Sequence, residues 1–200
     1  MSTFSDQELW DQALTGEAAA FGELFERHAT SVYNYLFRRC ANWATAEDLT
    51  SIVFLETWRK RGRVELLHDS ALPWLLGTAT NVLRNRSRAE RRYKSAVDRL
   101  LPPLDRWDPS ADVLERLTEE ERMRDILAVV SRLPQSDQDV IALCVWTGLS
   151  YEEAAIALRL PVGTVRSRLS CGKGRLRELF EGCGYRAAGV MEPQTGQEAE

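Results

Sequence analysis

The chain has 200 residues, 44% of them hydrophobic, with 30 acidic against 26 basic side chains and a net charge of -4 at pH 7. That length holds one core or two small ones, and the acidic balance argues against a uniformly basic nucleic-acid binder. No apolar run approaches the roughly 18–20 residues that a membrane-spanning helix needs. The start, MSTFSDQELW, lacks a basic leader and an apolar middle, so a cytoplasmic location is expected. Ser5-Asp6-Gln7-Glu8 reads as a capping box opening a helix that Gly16 ends. Phe21, Leu24, Phe25, His28, Val32, Tyr35 and Leu36 then recur at steps of three or four, one apolar helical stripe. Thr45-Ala46-Glu47-Asp48 reads as a further cap, followed by Leu49, Ile52, Val53 and Trp58 on the next stripe. Residues 61–70 lose the periodicity and read as a loop. Pro73 suits the first turn of a helix carrying Trp74, Leu75, Leu76 and Val82. That helix runs into Arg84, Arg86, Arg88, Arg91, Arg92 and Lys94, with Glu90 as the one acid among them.

The stretch LLPPLDRWDPSADV has three prolines and three aspartates and reads as an extended linker, residues 98–118. Ile126, Leu127, Val130 and Leu133 mark a helix stopped by Pro134, and Val140, Ile141, Leu143 and Val145 mark another ended by Gly148. Residues 184–200 carry little apolar content and read as a disordered acidic tail. The expected fold is therefore all-α: a helical domain over residues 1–97, the linker, and a second helical domain over residues 119–183. Cys40, Cys144, Cys171 and Cys183 lie far apart with no Cys-x-x-Cys pair, which suits free thiols. With only His28 and His68, and no metal-ligand cluster, phosphate cradle or nucleophile motif, no cofactor, metal or catalytic activity is expected.

Ser150-Tyr151-Glu152-Glu153 is another capping box, and Ala154, Ala155 and Leu158 form a face small enough for a second helix to cross closely. Leu160 and Val165 would fill the angle between helices, and Pro161 and Gly163 would start the second one. This is helix-turn-helix grammar, whose second helix enters the major groove. Thr164, Arg166, Ser167, Arg168 and Ser170 fall in its first turns, with Lys173 beyond and Tyr151 at the start of the first helix. Arginine can grip guanine with two hydrogen bonds or hold phosphate. A solvated basic face on an ordinary helical hairpin is the plainer reading of the same pattern.

LPQSDQDVIALCVWTGLSYEEAAIALRLPVGTVRSRLSCGKGRL closely resembles the C-terminal domain of bacterial extracytoplasmic-function sigma factors. AEDLTSIVFLETWRK, followed by WLLGTATNVLRNRSRAERR, resembles that family's other domain. The two likenesses stand in the family's order and together cover residues 5–180. The resemblance implies a subunit without catalysis of its own that binds core RNA polymerase, at the beta-prime clamp helices and the beta flap, and directs promoter recognition and strand opening. It places the clamp contact on the helix over residues 45–59, at Asp48, Glu56 and Arg59. It places minus-ten reading on residues 61–70 and the helix after them, where Asn81 can read a base edge and Arg84, Arg88, Arg91 and Arg92 can hold phosphate. Minus-thirty-five reading falls to Tyr151, Thr164, Arg166, Ser167, Arg168, Ser170 and Lys173. An anti-sigma protein is a further family expectation, as is a monomeric free state and a stress or developmental regulon.

Trp58 and Trp74 sit on apolar stripes and read as core rather than base-stacking residues. Glu47 and Asp48 could equally complement a helix dipole. The chain departs from the family at Cys144, Cys171, Asn85 and Gln138, where charged residues are common. The missing charge at Cys144 and Cys171 bears on whether the family's usual upstream promoter sequence is read, not on the DNA-binding role itself. A redox role for the two thiols is the alternative to simple loss of a phosphate contact. A stand-alone helix-turn-helix regulator remains the competing function, and it would need a ligand or dimer domain in the N-terminal half.

Overall fold

The computed structural model describes residues 4–64, 66, 69–97 and 111–182, and every regular element among them is helical. The elements are α1 (Asp6–Leu14), α2 (Ala18–Cys40), α3 (Trp43–Lys60), a 3-10 turn (Arg61–Arg63), α4 (Leu72–Val97), α5 (Ala111–Val130), α6 (Gln135–Ile141), a π turn (Ala142–Trp146), α7 (Tyr151–Leu158) and α8 (Val162–Gly182). Helices α1 to α4 form one unit and α5 to α8 the other, in line with the all-α expectation. Helix α5 begins at Ala111, inside the stretch read as linker; residues 98–110 and the tail from 183 lie outside the described residues.

Local chemistry explains where the helices start. The Ser5 hydroxyl accepts from the Glu8 amide and the Glu8 carboxylate accepts from the Ser5 amide, closing the expected box at α1. Ser150 and Glu153 do the same for α7. The third expected cap is displaced: α3 starts at Trp43, and the Asn42 side chain accepts the Thr45 amide at 2.8 Å. Asn is a strong N-cap, and Ala41 before it turns the chain at φ 49, so only two residues make the corner between α2 and α3. In the helix-turn-helix the left-handed residue is Arg159, φ 55, not Gly163, whose position leaves room for a Cβ.

In the first unit Leu9, Trp10, Leu24, Val32, Tyr35, Leu36, Val53, Leu75 and Leu76 are almost fully buried. In the second, Val140, Leu143, Ala154 and Val165 fill the same role. The two cores run together. Helix α4 packs on α7, and at Gly77 the backbones approach so closely that a Cβ would stand 2.5 Å from the Ala157 carbonyl oxygen. Helix α7, whose small residues are expected to let a second helix cross closely, thus packs against α4 of the other unit as well as α8. Phe25 and Ile52, assigned above to buried stripes, are instead 42% and 44% exposed.

Candidate functional site

Helix α3 buries Leu49, Val53, Phe54 and Thr57 and turns Asp48, Ser51, Ile52, Leu55 and Arg59 outward. Leu55 is 50% exposed. Glu56 is half-buried between them and pairs with Lys60 at 2.6 Å and Arg59 at 3.7 Å, and the Lys60 ammonium holds its carboxyl below the usual range. The three expected clamp residues thus share one helix face with an exposed Ile–Leu pair. Apolar side chains flanked by opposite charges suit a rigid helical partner. Ile52 and Leu55 were missed because a sequence stripe does not say which of two apolar edges a helix buries.

On α4, Asn81, Arg88 and Arg92 are exposed, while the Arg91 side chain lies outside the described residues. Arg86 pairs with Glu90 at 2.6 Å. Arg84 is half-buried and engaged elsewhere: its Nε and Nη2 donate to Asp139 Oδ2 at 3.0 and 2.6 Å. Asp139, on α6 of the other unit, is fully buried and also accepts from Arg39 at 2.7 Å and Gln135 at 3.0 Å. Arg39 further donates to the Gln138 carbonyl, and Arg38 to the Trp146 carbonyl at 2.7 Å. One buried carboxylate therefore gathers two arginines across the junction of the units. Nothing in the sequence marks it, since Arg39 stands 100 residues and Arg84 55 residues from Asp139. Trp58 packs on Phe21 and Trp74 lies half-buried beneath Arg159, so both tryptophans belong to packing.

On α8, Val165 and Leu169 point inward, and Arg166, Ser167, Ser170 and Lys173 are exposed, with Thr164 and Arg168 half-exposed. The Arg166 guanidinium lies 5.6 Å from the Tyr151 ring centre, a cation–π contact that holds it over the start of α7. Gly172 lets α8 lie against Ile141 of α6, and Arg175 pairs with the buried Asp137. The opposite face of α8 is thereby fixed and its first turns stay open, as a groove-reading helix requires. Burial raises the Cys144 thiol above its ordinary value against the pull of Lys173, which keeps it protonated. Cys171 is exposed.

Among the described residues no cluster of His, Cys, Asp and Glu could hold a metal, and no helix is long and apolar enough to cross a membrane. His28, read as part of an apolar stripe, is buried against Asp6 at 2.6 Å. A buried imidazole needs a polar partner, but its position 22 residues away left no sequence signal.

Residues 24–93 match the family model for Sigma-70 region 2 and residues 123–176 that for Sigma-70, region 4. The RNA polymerase sigma factor CarQ of Myxococcus xanthus is 33% identical over 168 residues, covering 82% of this chain and 91% of that protein. The ECF RNA polymerase sigma factor BldN of Streptomyces coelicolor is 31% identical across 80% of this chain, which spans 60% of BldN's length. Among solved structures, CnrH in complex with the cytosolic domain of CnrY superposes with a TM-score of 0.63 at 21% identity, covering 88% of this chain and 97% of CnrH, a likeness of fold.

Proposed function

The chain belongs to the extracytoplasmic-function family of RNA polymerase sigma factors, and from that premise we propose how its surfaces divide the work of initiation. Helix α3 docks on the clamp helices of core RNA polymerase through Asp48, Glu56 and Arg59, with Ile52 and Leu55 between them. The connection after α3 and helix α4 read and open the minus-ten element, Asn81 at a base edge and Arg88, Arg91 and Arg92 on phosphates, while Arg84, expected to join them, is held by Asp139. Helix α8 reads the minus-thirty-five element through Thr164, Arg166, Ser167, Arg168, Ser170 and Lys173, Tyr151 steadies Arg166, and the second unit meets the beta flap. The polymerase supplies all bond formation, and the sigma subunit works in the cytoplasm.

The observation that carries this reading is the pairing in one chain of an outward charged and apolar face on α3 with an open arginine-bearing face on α8. A stand-alone regulator has use for the second face and none for the first. An inhibitory protein partner of the anti-sigma kind belongs to the proposal, because CnrH is solved with another protein's cytosolic domain on it and the α3 face is open to such a cover. The test is co-elution of the full chain with bacterial core RNA polymerase. Wild type is expected to bind stoichiometrically and Asp48→Arg to fall away while still binding duplex DNA. A folded wild type that ignores the core enzyme overturns the assignment.

A further inference from the structure

Helix α1 lies outside the segment that the region 2 family model covers, and the polar groups at its two ends do something that packing alone does not require. Leu9, Trp10 and Ala13 already bury it. Yet its first residue, Asp6, is a carboxylate only 5% exposed and saturated with donors. Oδ1 accepts from Arg27 at 2.6 Å, and Oδ2 faces His28 Nε2 at 2.6 Å and accepts the Ala71 backbone amide at 2.8 Å. Ala71 is itself fully buried and accepts the Leu75 amide at the start of α4. Asp6 thus caps α4 from another helix. Burial alone would raise its pKa, but His28, the Ala71 amide and Arg27 outweigh that and hold it at about 2, so the cap stays ionised at any working pH.

The other end of α1 holds the other end of the same connection. Arg61, at the close of α3, donates from Nε to the Ala13 carbonyl at 2.9 Å and from Nη1 to the Trp58 carbonyl at 2.7 Å. Its guanidinium lies 3.6 Å over the Trp58 ring. From Asp6 to Ala13 the helix rises about 10 Å at 1.5 Å per residue. The connection it bridges, residues 61–70, could span roughly 33 Å if extended. A rigid rod about one third of that length therefore fixes both ends of the segment assigned above to minus-ten reading. A buried ionised cap in place of an apolar residue is the kind of feature that specifies geometry more than stability.

We propose that α1 is a positioning clip for minus-ten reading, Asp6 fixing the start of α4 through the Ala71 amide and the Ala13 carbonyl fixing the end of α3 through Arg61. The clip rests on the sigma-factor reading given above. Asp6 is buried and Arg61 is occupied by the Ala13 and Trp58 carbonyls, so in this proposal they act by fixing the end of α3 and the start of α4 rather than by gripping a base. Base capture is sensitive to such placement in a way that polymerase docking on the far face of α3 is not.

The test uses holoenzyme reconstituted from core RNA polymerase and full-length protein. The probe is a single-stranded oligonucleotide carrying the minus-ten element of a promoter mapped with wild type, alongside copies with one base changed. Asp6→Ala and Arg61→Met are each expected to lower discrimination between the two about tenfold, the scale of one lost charge-assisted hydrogen bond. Core affinity should stay within about twofold, and the double variant should lose little more than either single one, since both act on one clip. Full discrimination in a variant that still binds core overturns the clip, as does additive loss in the double variant. A wild type that binds core but discriminates no bases overturns the minus-ten reading itself, and the clip with it. Should either variant fail to fold, hydrogen exchange on wild type decides. The Ala71 amide is expected to exchange as slowly as the interior of α4, and fast exchange there refutes the clip.

Discussion

Replacing Asp139 with asparagine removes the charge that joins the two units and leaves its volume in place. Asp139 is fully buried and Arg39, its main partner, is only 8% exposed at the side chain, so the substitution strands a buried guanidinium. Breaking such a pair from one side costs about 3–5 kcal/mol. Arg84 is 36% exposed and regains water, so its share is under about 1 kcal/mol. The penalty falls on the junction, because Asp139 belongs to α6 while Arg39 and Arg84 belong to α2 and α4. At roughly 2–4 °C per kcal/mol for a chain of this size, a loss near 3 kcal/mol lowers the melting midpoint by about 6–12 °C. It also frees Arg84 for phosphate. A compact 200-residue chain has a radius of gyration of about 16 Å, and small-angle scattering should show the variant expanded beyond wild type. The decisive assay is a double-mutant cycle with Arg39→Met, where coupling of about 2 kcal/mol or more is expected. Additivity within about 0.5 kcal/mol, together with unchanged scattering, would refute the linkage.

Three other perturbations test separate parts of the structure. Gly77→Ala puts a Cβ 2.5 Å from the Ala157 carbonyl oxygen; backbone cannot swing aside, so scattering should show the units displaced even though alanine favours helix by about 1 kcal/mol. A compact and stabilised variant would contradict that contact. Asp6, held at about 2 against an unfolded value of 3.8, contributes stability that is present above pH 3.8 and lost as pH falls through 2. Denaturant titrations should show a loss of about 2 kcal/mol across that window, flattened in Asp6→Asn. Arg166→Ala and Arg168→Ala should each weaken upstream-element binding and leave core binding intact. A base contact costs about 1–3 kcal/mol and relaxes specificity at one position, whereas a phosphate contact lowers the salt slope by about 1.

The helical plan and the helix-turn-helix were legible because both rest on local chemistry. Two of the three expected capping sites, at Ser5 and Ser150, stand where the sequence puts them, since a hydroxyl and a carboxylate three residues apart accept each other's backbone amides without outside help. The third moved to Asn42 because an unexpected left-handed Ala41 turned the chain earlier. The inward Val165 and Leu169 and the outward Arg166 and Ser170 follow from helical period alone. What stayed hidden is non-local. Arg84 reads as one more arginine in a basic run, and only a carboxylate 55 residues away shows that it is engaged. Asp6 reads as a helix-start acid and proves to accept the Ala71 amide, 65 residues later, at the start of α4. Ile52 reads as core, yet the helix buries its neighbour Val53 and turns Ile52 to the surface.

The most direct measurement is transcription from a pool of bacterial genomic fragments by core RNA polymerase with and without the purified protein, mapping the 5′ ends of the transcripts. A sigma factor of this build gives a small set of new start sites that share both an upstream and a minus-ten element, lost with Asp48→Arg. Unchanged start sites from a protein that nonetheless binds duplex DNA through α8 would contradict the assignment and leave a stand-alone regulator.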